Sequence, residues 1–435
     1  MVFIESIKGF EILDSRGNPT IECYCRLNNG IIAVASVPSG ASTGAMEAYE
    51  LRDKDPSRYG GKGVLNAVDI INNQIAPKLI GMDPTKQEEI DDIMLSLDGT
   101  ANLSRLGANS ILSISLAVAK AAAKNSGLSF YQYVGDSSSY LMPVPFMNIL
   151  NGGEHASNNL DIQELMIVPV GFNSFSDALR AGAEIYHMLA SILIDKGLST
   201  GVGDEGGFAP NVSGVSEAFD LILLAITKAG YKVGSDVCLA IDVAASEFYN
   251  SGKYKISADN KVYTSSQWCE QLTAMVEKYP IISIEDGMAE DDIEGWKLLT
   301  KALGEKIQLV GDDLFVTQAK ILRKGIENGL ANAILIKPNQ VGTLTGALLT
   351  IGLARKNNYN IMISHRSGET CDHLIADLAV ASGSGQIKTG APRGGERLAK
   401  YNRLLKIEQE LSPSYNDSVA KKLSNYIKKS VVNNA

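Results

Sequence analysis

The chain has 435 residues, of which 45% are hydrophobic and 20% are charged, and its formal net charge is −9 at pH 7. This length exceeds one small domain, and the ordinary apolar fraction predicts a globular protein. The acidic balance argues against a nucleic-acid partner, because binding to phosphate backbones requires a basic surface. No apolar run approaches the roughly 18 residues of a membrane helix, so we expect no membrane span.

The start of the chain and its cysteines favour a cytoplasmic location. The first residues carry Glu5 and Glu11 and lack the long apolar stretch of a secretory signal peptide. Five cysteines without a C-x-x-C pair are typical of reduced thiols rather than of a disulfide framework. We therefore expect a cytoplasmic protein, and a cell-surface or secreted fraction without a signal peptide is left open.

Residues 1–135 mix short strands with helices and predict an N-terminal α+β capping domain. The stretch GFEILDSRGNPTIECYCRL indicates strand, turn and strand, with Cys23 and Cys25 on one packed side. A further strand precedes the Gly- and Ser-rich loop SGASTG, and NSILSISLAVAKAAAKNSG predicts a helix that stops at Gly127. The Ser- and Pro-rich segment 133–145 marks the expected domain boundary.

Beyond this boundary, eight short apolar runs recur with helical segments between most of them, which predicts an α/β fold. The runs are PFMNIL, IQELMIVPV, CLAID, IISIED, IQLVGDD, AILIKP, IMISHR and GQIKTG. Near-continuous apolar strands that alternate with helices indicate a parallel sheet covered on its faces, and eight of them suggest a closed barrel. The first two runs lie close together, and two helical stretches follow them, 174–196 and 214–229. We therefore expect an irregular eight-stranded (β/α)8 barrel of the type ββαα(βα)6.

The predicted barrel domain covers residues 140–420, and residues 421–435 form a C-terminal tail. Within the tail, Lys421 and Lys422 are followed one heptad later by a second lysine pair in the sequence KKLSNYIKKS. A helix with lysines on one face is typical of a solvated segment, with a partner site as the alternative.

The last six apolar runs each end in a charged or polar residue. These residues are Asp242, Glu285, Asp312, Lys337, His365 and Lys388. From Glu285 onward they are roughly 25 residues apart, so a barrel would bring all six to its C-terminal rim, where barrel active sites lie. The alternative is that strand ends are polar simply because they reach water.

Three of these groups are carboxylates on successive strands, which favours a hard divalent cation. The oxygen ligands of Asp242, Glu285 and Asp312 suit Mg²⁺ or Mn²⁺, whereas Zn²⁺ would favour His or Cys. The four histidines of the chain lack zinc spacing. Without a metal, three clustered acids would repel one another, and at least one would take up a proton.

Two loops add further chemistry. Arg366 and Ser367 follow a strand and predict an anion pocket, because a guanidinium fork suits phosphate or carboxylate; the alternative is an ion pair in a turn. The loop GVGDEGGFAP contains G-x-G-x-x-G, but a helix precedes it, and Asp204 and Glu205 would repel a pyrophosphate. Two acids on a Gly-rich loop fit general acid–base work better, with a solvated loop as the alternative.

Taken together, these segments resemble the enolases, the phosphopyruvate hydratases of glycolysis, in their bacterial form. The resemblance spans nearly the whole chain through DSRGNPT, SGASTG, LGAN, NGGEHASNNLDIQE, GDEGGFAP, SIEDGMAEDD, GDDLFVT, SHRSGET, GQIKTGAP and ERLAKYN. It implies the reversible Mg²⁺-dependent dehydration of 2-phospho-D-glycerate to phosphoenolpyruvate through an enediolate intermediate. It also implies a homodimer or a higher assembly of dimers, such as an octamer.

The resemblance assigns an expected role to each matching residue. Lys337 matches the general base, and Glu205 matches the general acid. The ligands of a tighter Mg²⁺ are matched by Asp242, Glu285 and Asp312. Ser39, on the SGASTG loop, matches the ligand of a second Mg²⁺ that arrives with the substrate. The substrate-binding positions are matched by His155, Gln163, Glu164, His365, Arg366, Ser367 and Lys388.

This chemistry sets two expectations for pKa values. Lys337 must be neutral to accept a proton, so burial, bound metal and Lys388 are expected to lower its pKa from about 10.4 to about 7–8. Glu205 must be protonated near neutrality, so limited water and neighbouring acids are expected to raise its pKa.

Three rival functions stay open on the sequence alone. A metal-dependent dehydratase or racemase acting on sugar acids would share the barrel and the acid trio but usually lacks the SHRSGET phosphate site. A binding protein on the enolase scaffold, with surface partners, would need no catalysis, although every residue with an expected role is present. A dinucleotide-binding dehydrogenase is disfavoured by the context of GVGDEGGFAP.

Overall fold

The structure is a computed structural model of the chain. It describes residues 1–41, 44–136, 140–256 and 261–411. The predicted tail, 421–435, and the last part of the predicted barrel domain, 412–420, lie outside the described residues. The predicted domain bounds therefore stay predictions. Within the described part of the chain, no helix is long and apolar enough to cross a membrane.

The N-terminal part is built on an antiparallel sheet of three strands. The strands β1 (Ile4–Leu13), β2 (Pro19–Leu27) and β3 (Ile32–Ser36) pair in chain order. Cys23 and Cys25 are fully buried on one face of β2, as the alternating pattern predicts. Burial raises the pKa of Cys25 to about 12, which fits a packing role rather than a reactive thiol.

Helical segments follow this sheet, and several of them pack against its inner face. They are α1 (Leu65–Ile70), a π-helical turn (Ile71–Ile75), α2 (Ala76–Leu79), α3 (Gln87–Asp98), α4 (Ala108–Asn125) and α5 (Phe130–Val134), with a short 3₁₀ turn at Tyr59–Gly61. The almost wholly buried α4 packs against β2 and β3. It ends just before Gly127, whose positive φ of 69° stops the helix where the sequence predicts.

A closed barrel of eight strands follows, as the eight apolar runs predict. This part of the chain contains the barrel strands and three further short strands. In chain order they are β4 (Val144–Asn151), β5 (Glu164–Pro169), β6 (Val237–Asp242), β7 (Tyr249–Asn250), β8 (Lys253–Ile256), β9 (Lys261–Tyr263), β10 (Ile281–Glu285), β11 (Gln308–Gly311), β12 (Ala333–Ile336), β13 (Asn360–Ser364) and β14 (Gln386–Lys388). Of these, β7, β8 and β9 form a small separate sheet, and the others close the barrel.

Helices occupy most of the connections between the barrel strands. They are α6 (Phe175–Asp195), α7 (Val215–Lys228), α8 (Ser265–Lys278), α9 (Ile293–Leu303), α10 (Ala319–Glu327), α11 (Pro338–Val341), α12 (Leu344–Lys356), α13 (Leu374–Ala381) and α14 (Gly395–Leu411), with 3₁₀ turns at Gly153–His155 and Ala245–Phe248. The two long helices predicted after the second strand are confirmed as α6 and α7. The order β4, β5, α6, α7 confirms the irregular start of the barrel.

One strand departs from the parallel sheet that the sequence predicts. The strand β5 runs antiparallel to both of its neighbours, β4 and β6, whereas the other barrel pairs are parallel. The connection 152–163 contains only a 3₁₀ turn, so no helix carries the chain back across the barrel. Because β5 starts at the C-terminal rim, its first residue, Glu164, pairs with Asp242 at the end of β6.

Polar contacts join the N-terminal part to the rim of the barrel. Lys120 on α4 donates from Nζ to Asp372 Oδ2 at 2.6 Å and to the carbonyl of Val34 at 3.2 Å. The carboxylate of Asp372 also accepts the backbone N–H groups of Ser36 and Leu374, at 3.0 and 2.9 Å. This carboxylate therefore ties β3, α4 and α13 together beside the site.

The substitution Lys120→Met tests what this junction contributes. It leaves a largely buried carboxylate without its counter-charge, so we expect the free energy of unfolding to fall by roughly 2–3 kcal/mol in urea titrations. The control is Lys124→Met, one turn further along α4, where an exposed lysine donates to the carbonyl of Ile32. That change should cost less than about 0.5 kcal/mol. Equal losses of unfolding free energy in the two variants would contradict the stabilising role of the pair between Lys120 and Asp372.

Candidate active site

One pocket at the C-terminal end of the barrel gathers most of the predicted site residues. The ends of strands position them: Asp242 closes β6, Lys388 closes β14 and Lys337 follows β12. The pocket is lined by His155, Gln163, Glu164, Glu205, Asp242, Ala244, Asp286, Asp312, Asp313, Lys337, Ser364, His365, Arg366, Ser367 and Lys388. Of the predicted set, Glu285 and Ser39 do not line it.

Lys388 lies at the centre of an acidic group. Its Nζ is 3.0 Å from Asp242 Oδ2, 2.8 Å from Glu285 Oε2 and 3.1 Å from Glu164 Oε1. All four side chains are almost fully buried. Burial alone would lower the pKa of Lys388, but these carboxylates outweigh it and raise that pKa well above its ordinary value. Lys388 is therefore a charged ammonium, and it connects Glu285 to the pocket.

Lys337 meets Asp312 at the end of β12. Its Nζ donates to Asp312 Oδ2, and its backbone N–H donates to Thr317 Oγ1 at 2.8 Å. Burial lowers the pKa of Lys337, but the Asp312 carboxylate opposes this effect, and the net pKa lies above its ordinary value. With the charges of the protein alone, Asp312 therefore holds the proton on Lys337, and the lowered pKa, which is expected with bound metal, stays a prediction.

Glu205 lies between nitrogen atoms and a second acid, Glu164, and ligand atoms of His155, Glu164 and Glu205 lie within 4.8 Å of one another. Asn148 donates to its Oε2 at 3.0 Å, and Nε2 of His365 and Nδ1 of His155 lie 3.2 and 3.7 Å from its Oε1. Burial raises the pKa of Glu205, but the two histidines outweigh burial and bring it well below its ordinary value. The predicted rise is therefore wrong. The raised pKa belongs to the neighbouring Glu164, through burial and the charge on Glu205.

Arg397 on α14 fixes the loop that follows β13. This fully buried side chain places NH1 at 2.6 Å from His365 Nδ1 and donates to the carbonyls of Arg366 and Ser367, at 2.7 and 2.6 Å. Because a guanidinium only donates, His365 Nδ1 is an acceptor and the ring proton lies on Nε2, toward Glu205. The motif ERLAKYN contains Arg397, but no local pattern in the sequence places it beside the site.

Arg366 and Ser367 line the pocket from the loop after β13. Arg366 also forms an ion pair, the alternative left open by the sequence, so the anion pocket stays a prediction. The guanidinium of Arg366 donates to Glu47 Oε2 and Oε1, at 2.8 and 3.1 Å, and to Asn339 Oδ1 at 3.3 Å. The hydroxyl of Ser367 accepts the backbone N–H of Ala41 at 2.7 Å. Sequence reasoning missed Glu47, whose only signal is its position just after SGASTG.

Ser39 is not brought to the carboxylates. Its buried hydroxyl donates to Asp14 Oδ2 at 2.9 Å and accepts from Arg16 NH2 at 3.2 Å. Its backbone pairs with Gly368 in both directions, at 2.8 and 2.9 Å. The Ser39 side chain therefore faces the DSRG turn, and its role as ligand of a second ion that arrives with the substrate stays a prediction.

The carboxylates in and beside the pocket fit a divalent cation. Glu285 Oε1 and Glu164 Oε2 are buried oxygens that lack a hydrogen-bond partner within the described part of the chain. Burial and the charge on Asp242 raise the pKa of Glu285 well above its ordinary value, because the ionised form gains too little neutralisation from its protein neighbours. Such oxygen donors suit Mg²⁺.

A second acidic group stands beside the expected ligands. Carboxylate oxygens of Asp286, Asp312 and Asp313 lie within 4.8 Å of one another. Asp286 also accepts the backbone N–H groups of Asp312 and Asp313, at 3.0 and 2.8 Å. Burial and the charge on Asp312 raise the pKa of Asp313 to about 8. Sequence reasoning missed both neighbours, although they are the second acids of IED and GDD.

Comparison with known proteins finds matches over nearly the whole chain. The family model described as the enolase N-terminal domain matches residues 4–134, and that of the enolase C-terminal TIM barrel domain matches residues 139–423. The chain is also 56% identical over 411 residues to the enolase of a Nitratiruptor species. That alignment covers 94% of this chain and 97% of the relative.

The imidazole of His365 provides a pH test of the pocket. Burial lowers its pKa to about 4, whereas the unfolded chain binds the same proton near pH 6.5. Stability from the neutral ring is therefore complete above about pH 6.5 and falls by up to ~3 kcal/mol as the pH drops toward 4.

The substitution His365→Asn should flatten this loss when urea unfolding is measured across that pH range. The control is His187→Asn, because His187 is exposed on α6. A pH dependence of stability that is the same in His365→Asn and wild type would contradict the buried neutral imidazole.

Proposed function

The chain belongs to the enolase family, and on this premise we propose which residues carry out the family reaction. The protein is an enzyme that interconverts 2-phospho-D-glycerate and phosphoenolpyruvate by reversible dehydration. The observation that carries the residue assignment is that Lys337, Glu205 and Arg366 line one pocket. A base, an acid and an anion-binding fork are the groups that this dehydration needs.

We propose that the substrate binds through its two anionic ends. The guanidinium of Arg366 and the hydroxyl of Ser367 would hold the phosphate, because both face the pocket from one loop. Lys388 would neutralise the substrate carboxylate. The remaining proposed contacts come from His155, Gln163, Glu164 and His365.

The family requires a divalent metal, and we propose that two Mg²⁺ ions are bound. Asp242, Glu285 and Asp312 would hold the tighter ion, and the unpartnered Glu285 oxygen supports this assignment. When bound, the two ions supply about four positive charges to offset the second charge that develops on the substrate carboxylate. A ligand role for Ser39 would require its hydroxyl to leave Asp14.

Lys337 is the proposed general base, and Asp312 controls its proton. While the Asp312 carboxylate pairs with Lys337, the ammonium form is stabilised. If Asp312 shares its charge with a cation, burial of the lysine prevails and its pKa falls. The neutral amine would then take the proton from the carbon beside the substrate carboxylate. Because its strand is fully buried, the amine is held rigidly during this transfer.

Glu205 is the proposed general acid, which protonates the departing hydroxide. It must first take up a proton, since its histidine neighbours favour the carboxylate form. Negative charge on a bound substrate would raise its pKa by repulsion. Glu164, whose own pKa is raised, lies 3.7 Å from the same His155 Nδ1 and is the nearby carboxyl best able to hold that proton.

Ultraviolet absorbance of phosphoenolpyruvate tests the function and the base together. We expect the absorbance to grow with 2-phosphoglycerate and Mg²⁺, to stop on addition of excess chelator, and to fall by roughly 10³-fold or more in Lys337→Ala. The matched control is Lys324→Ala on the exposed side of α10, which should keep wild-type activity.

Non-phosphorylated D-glycerate, added in place of the substrate, addresses the sugar-acid rival. Turnover of D-glycerate as fast as of 2-phosphoglycerate would favour that rival and remove the phosphate role of Arg366. Activity that survives in folded Lys337→Ala would leave the enzyme assignment standing and remove the proposed base.

We propose in addition a homo-oligomer, as a dimer or a higher assembly of dimers, in the cytoplasm. The outer face of the N-terminal sheet supports the oligomer, because Phe10, Tyr24 and Ile32 are 38%, 39% and 43% exposed there. The rings of Phe10 and Tyr24 lie 5.1 Å apart and form one apolar patch. Such patches mark protein interfaces more often than bulk solvent contact.

Sedimentation velocity tests this assembly. We expect wild type to sediment as a dimer or a larger species, and Tyr24→Lys to shift it toward the monomer, because a charge cannot be buried in an apolar interface without a partner. A comparable change at Leu224→Lys, on the exposed side of α7, should leave the distribution unchanged. A wild type that sediments as a monomer at every concentration would contradict the proposed oligomer.

A further inference from the structure

We propose that Glu47 is a positioning residue for phosphate recognition, which holds the Arg366 guanidinium in its orientation at the pocket. The inference rests on the proposed function, because it deepens the role of Arg366 there. Glu47 does not line the pocket itself. It would therefore act through Arg366 rather than on the substrate.

The pair between Glu47 and Arg366 is bidentate and almost fully buried. The NH1 group donates to Oε2 at 2.8 Å and NH2 donates to Oε1 at 3.1 Å. The two side chains are only 8% and 4% exposed. A planar guanidinium held through two parallel bonds cannot turn without breaking one of them. The carboxylate thus fixes the plane of the fork that the phosphate would meet.

The carboxylate of Glu47 is itself held in place. Its Oε1 accepts from Gln340 Nε2 and from the backbone N–H of Gly44, both at 3.1 Å. The same Gln340 nitrogen donates to Asp312 Oδ1 at 2.9 Å. If Glu47 rotated away, it would lose its hydrogen bonds to Arg366, Gln340 and Gly44. Through Gln340, the same hydrogen bonds connect Arg366 to Asp312, a proposed cation ligand.

Glu47 reaches the barrel from the N-terminal part of the chain. Two backbone bonds fix its segment: Ala48 N–H donates to the carbonyl of Gln340 at 2.9 Å, and Tyr49 N–H donates to that of Asn102 at 2.7 Å. Arg366 and Glu47 are 319 residues apart in the chain. The N-terminal part therefore contributes a group on which the geometry of the barrel site depends.

A carboxylate is the group that can satisfy all of these donors. An amide at position 47 would turn its NH₂ toward one nitrogen of Arg366 in either orientation, because Arg366 donates to both oxygens of Glu47. Removing the negative charge would also relieve repulsion toward a bound phosphate. Loss of the Arg366 orientation would weaken phosphate binding, whereas relief of repulsion would strengthen it. The direction in which the phosphate affinity changes therefore decides between the two effects.

The test compares the steady-state kinetics of wild type and Glu47→Gln on 2-phosphoglycerate. We expect KM to rise about tenfold while kcat changes less than about threefold, because a misaligned fork weakens ground-state and transition-state binding alike. The inhibition constant of inorganic phosphate should rise in parallel. An unchanged or lower KM in a folded Glu47→Gln would overturn the proposal.

The matched control is Glu50→Gln. Glu50 lines the same cavity of about 320 Å³ beside Arg366, but its carboxylate pairs with Arg52 at 2.6 Å. The change removes one negative charge at the same rim, and we expect KM to stay within about twofold of wild type. Equal rises of KM in both variants would show that the effect does not depend on the pair between Glu47 and Arg366, and would overturn the orientation argument.

A second variant, Glu47→Asp, covers the case in which Glu47→Gln fails to fold. It keeps the charge, but the side chain is one methylene shorter, so it cannot hold both nitrogens of Arg366 at the same distances. A raised KM with the charge retained would support the positioning role. A wild-type KM would overturn it.

Calorimetric titration with inorganic phosphate separates this inference from the proposed function. If wild type does not turn over 2-phosphoglycerate, the proposed function fails, and phosphate affinity still decides the role of Glu47. Weaker phosphate binding by Glu47→Gln than by wild type would support that role, and equal or tighter binding would overturn it. A wild type with neither turnover nor phosphate binding would overturn both.

Discussion

A single buried ammonium among three buried carboxylates is the interaction on which the rest of the site depends. Without Lys388, the side chains of Asp242, Glu285 and Glu164 would repel one another, and protons would be needed to neutralise them. These four groups come from four different strands of the barrel. Closure of the barrel therefore brings the four charges together, and the charges must balance for the barrel to close.

The same charge balance would allow a divalent cation to replace the lysines as the partner of the acids. Lys337 and Lys388 stabilise carboxylates that a divalent cation would also stabilise, so the site is neutralised with either set of partners. A cation on Asp312 would release Lys337 from its strongest stabilising neighbour, and burial would then favour the neutral amine. On the proposed assignment, the pKa of Lys337 would thus depend on cation binding as well as on burial.

Much of the fold and part of the site could be predicted, because both depend on local patterns. Each barrel strand is a short apolar run, and a charge directly after such a run must lie at the rim. This reasoning located Asp242, Lys337 and Lys388 at one pocket. The antiparallel direction of β5 could not be predicted, because an apolar run has the same pattern in a parallel and in an antiparallel strand.

What could not be predicted depends on contacts between distant segments. The pairing of Glu47 with Arg366, the binding of Ser39 by Asp14, and the hold of Arg397 on the loop after β13 have no local signature. The low pKa of Glu205 likewise follows from histidines on other loops. A sequence pattern can name a chemical group, but its neighbours decide its protonation.

The central claim is that the strand-end carboxylates hold a divalent cation in competition with the two lysines. Calorimetric titration of Mg²⁺ into wild type and Asp242→Asn, at two pH values, tests it most directly. We expect Asp242→Asn to bind Mg²⁺ at least about tenfold more weakly, and wild type to bind more tightly at the higher pH, because Glu285, whose pKa is raised, then loses its competing proton. Equal Mg²⁺ affinity in both proteins, independent of pH, would contradict the account.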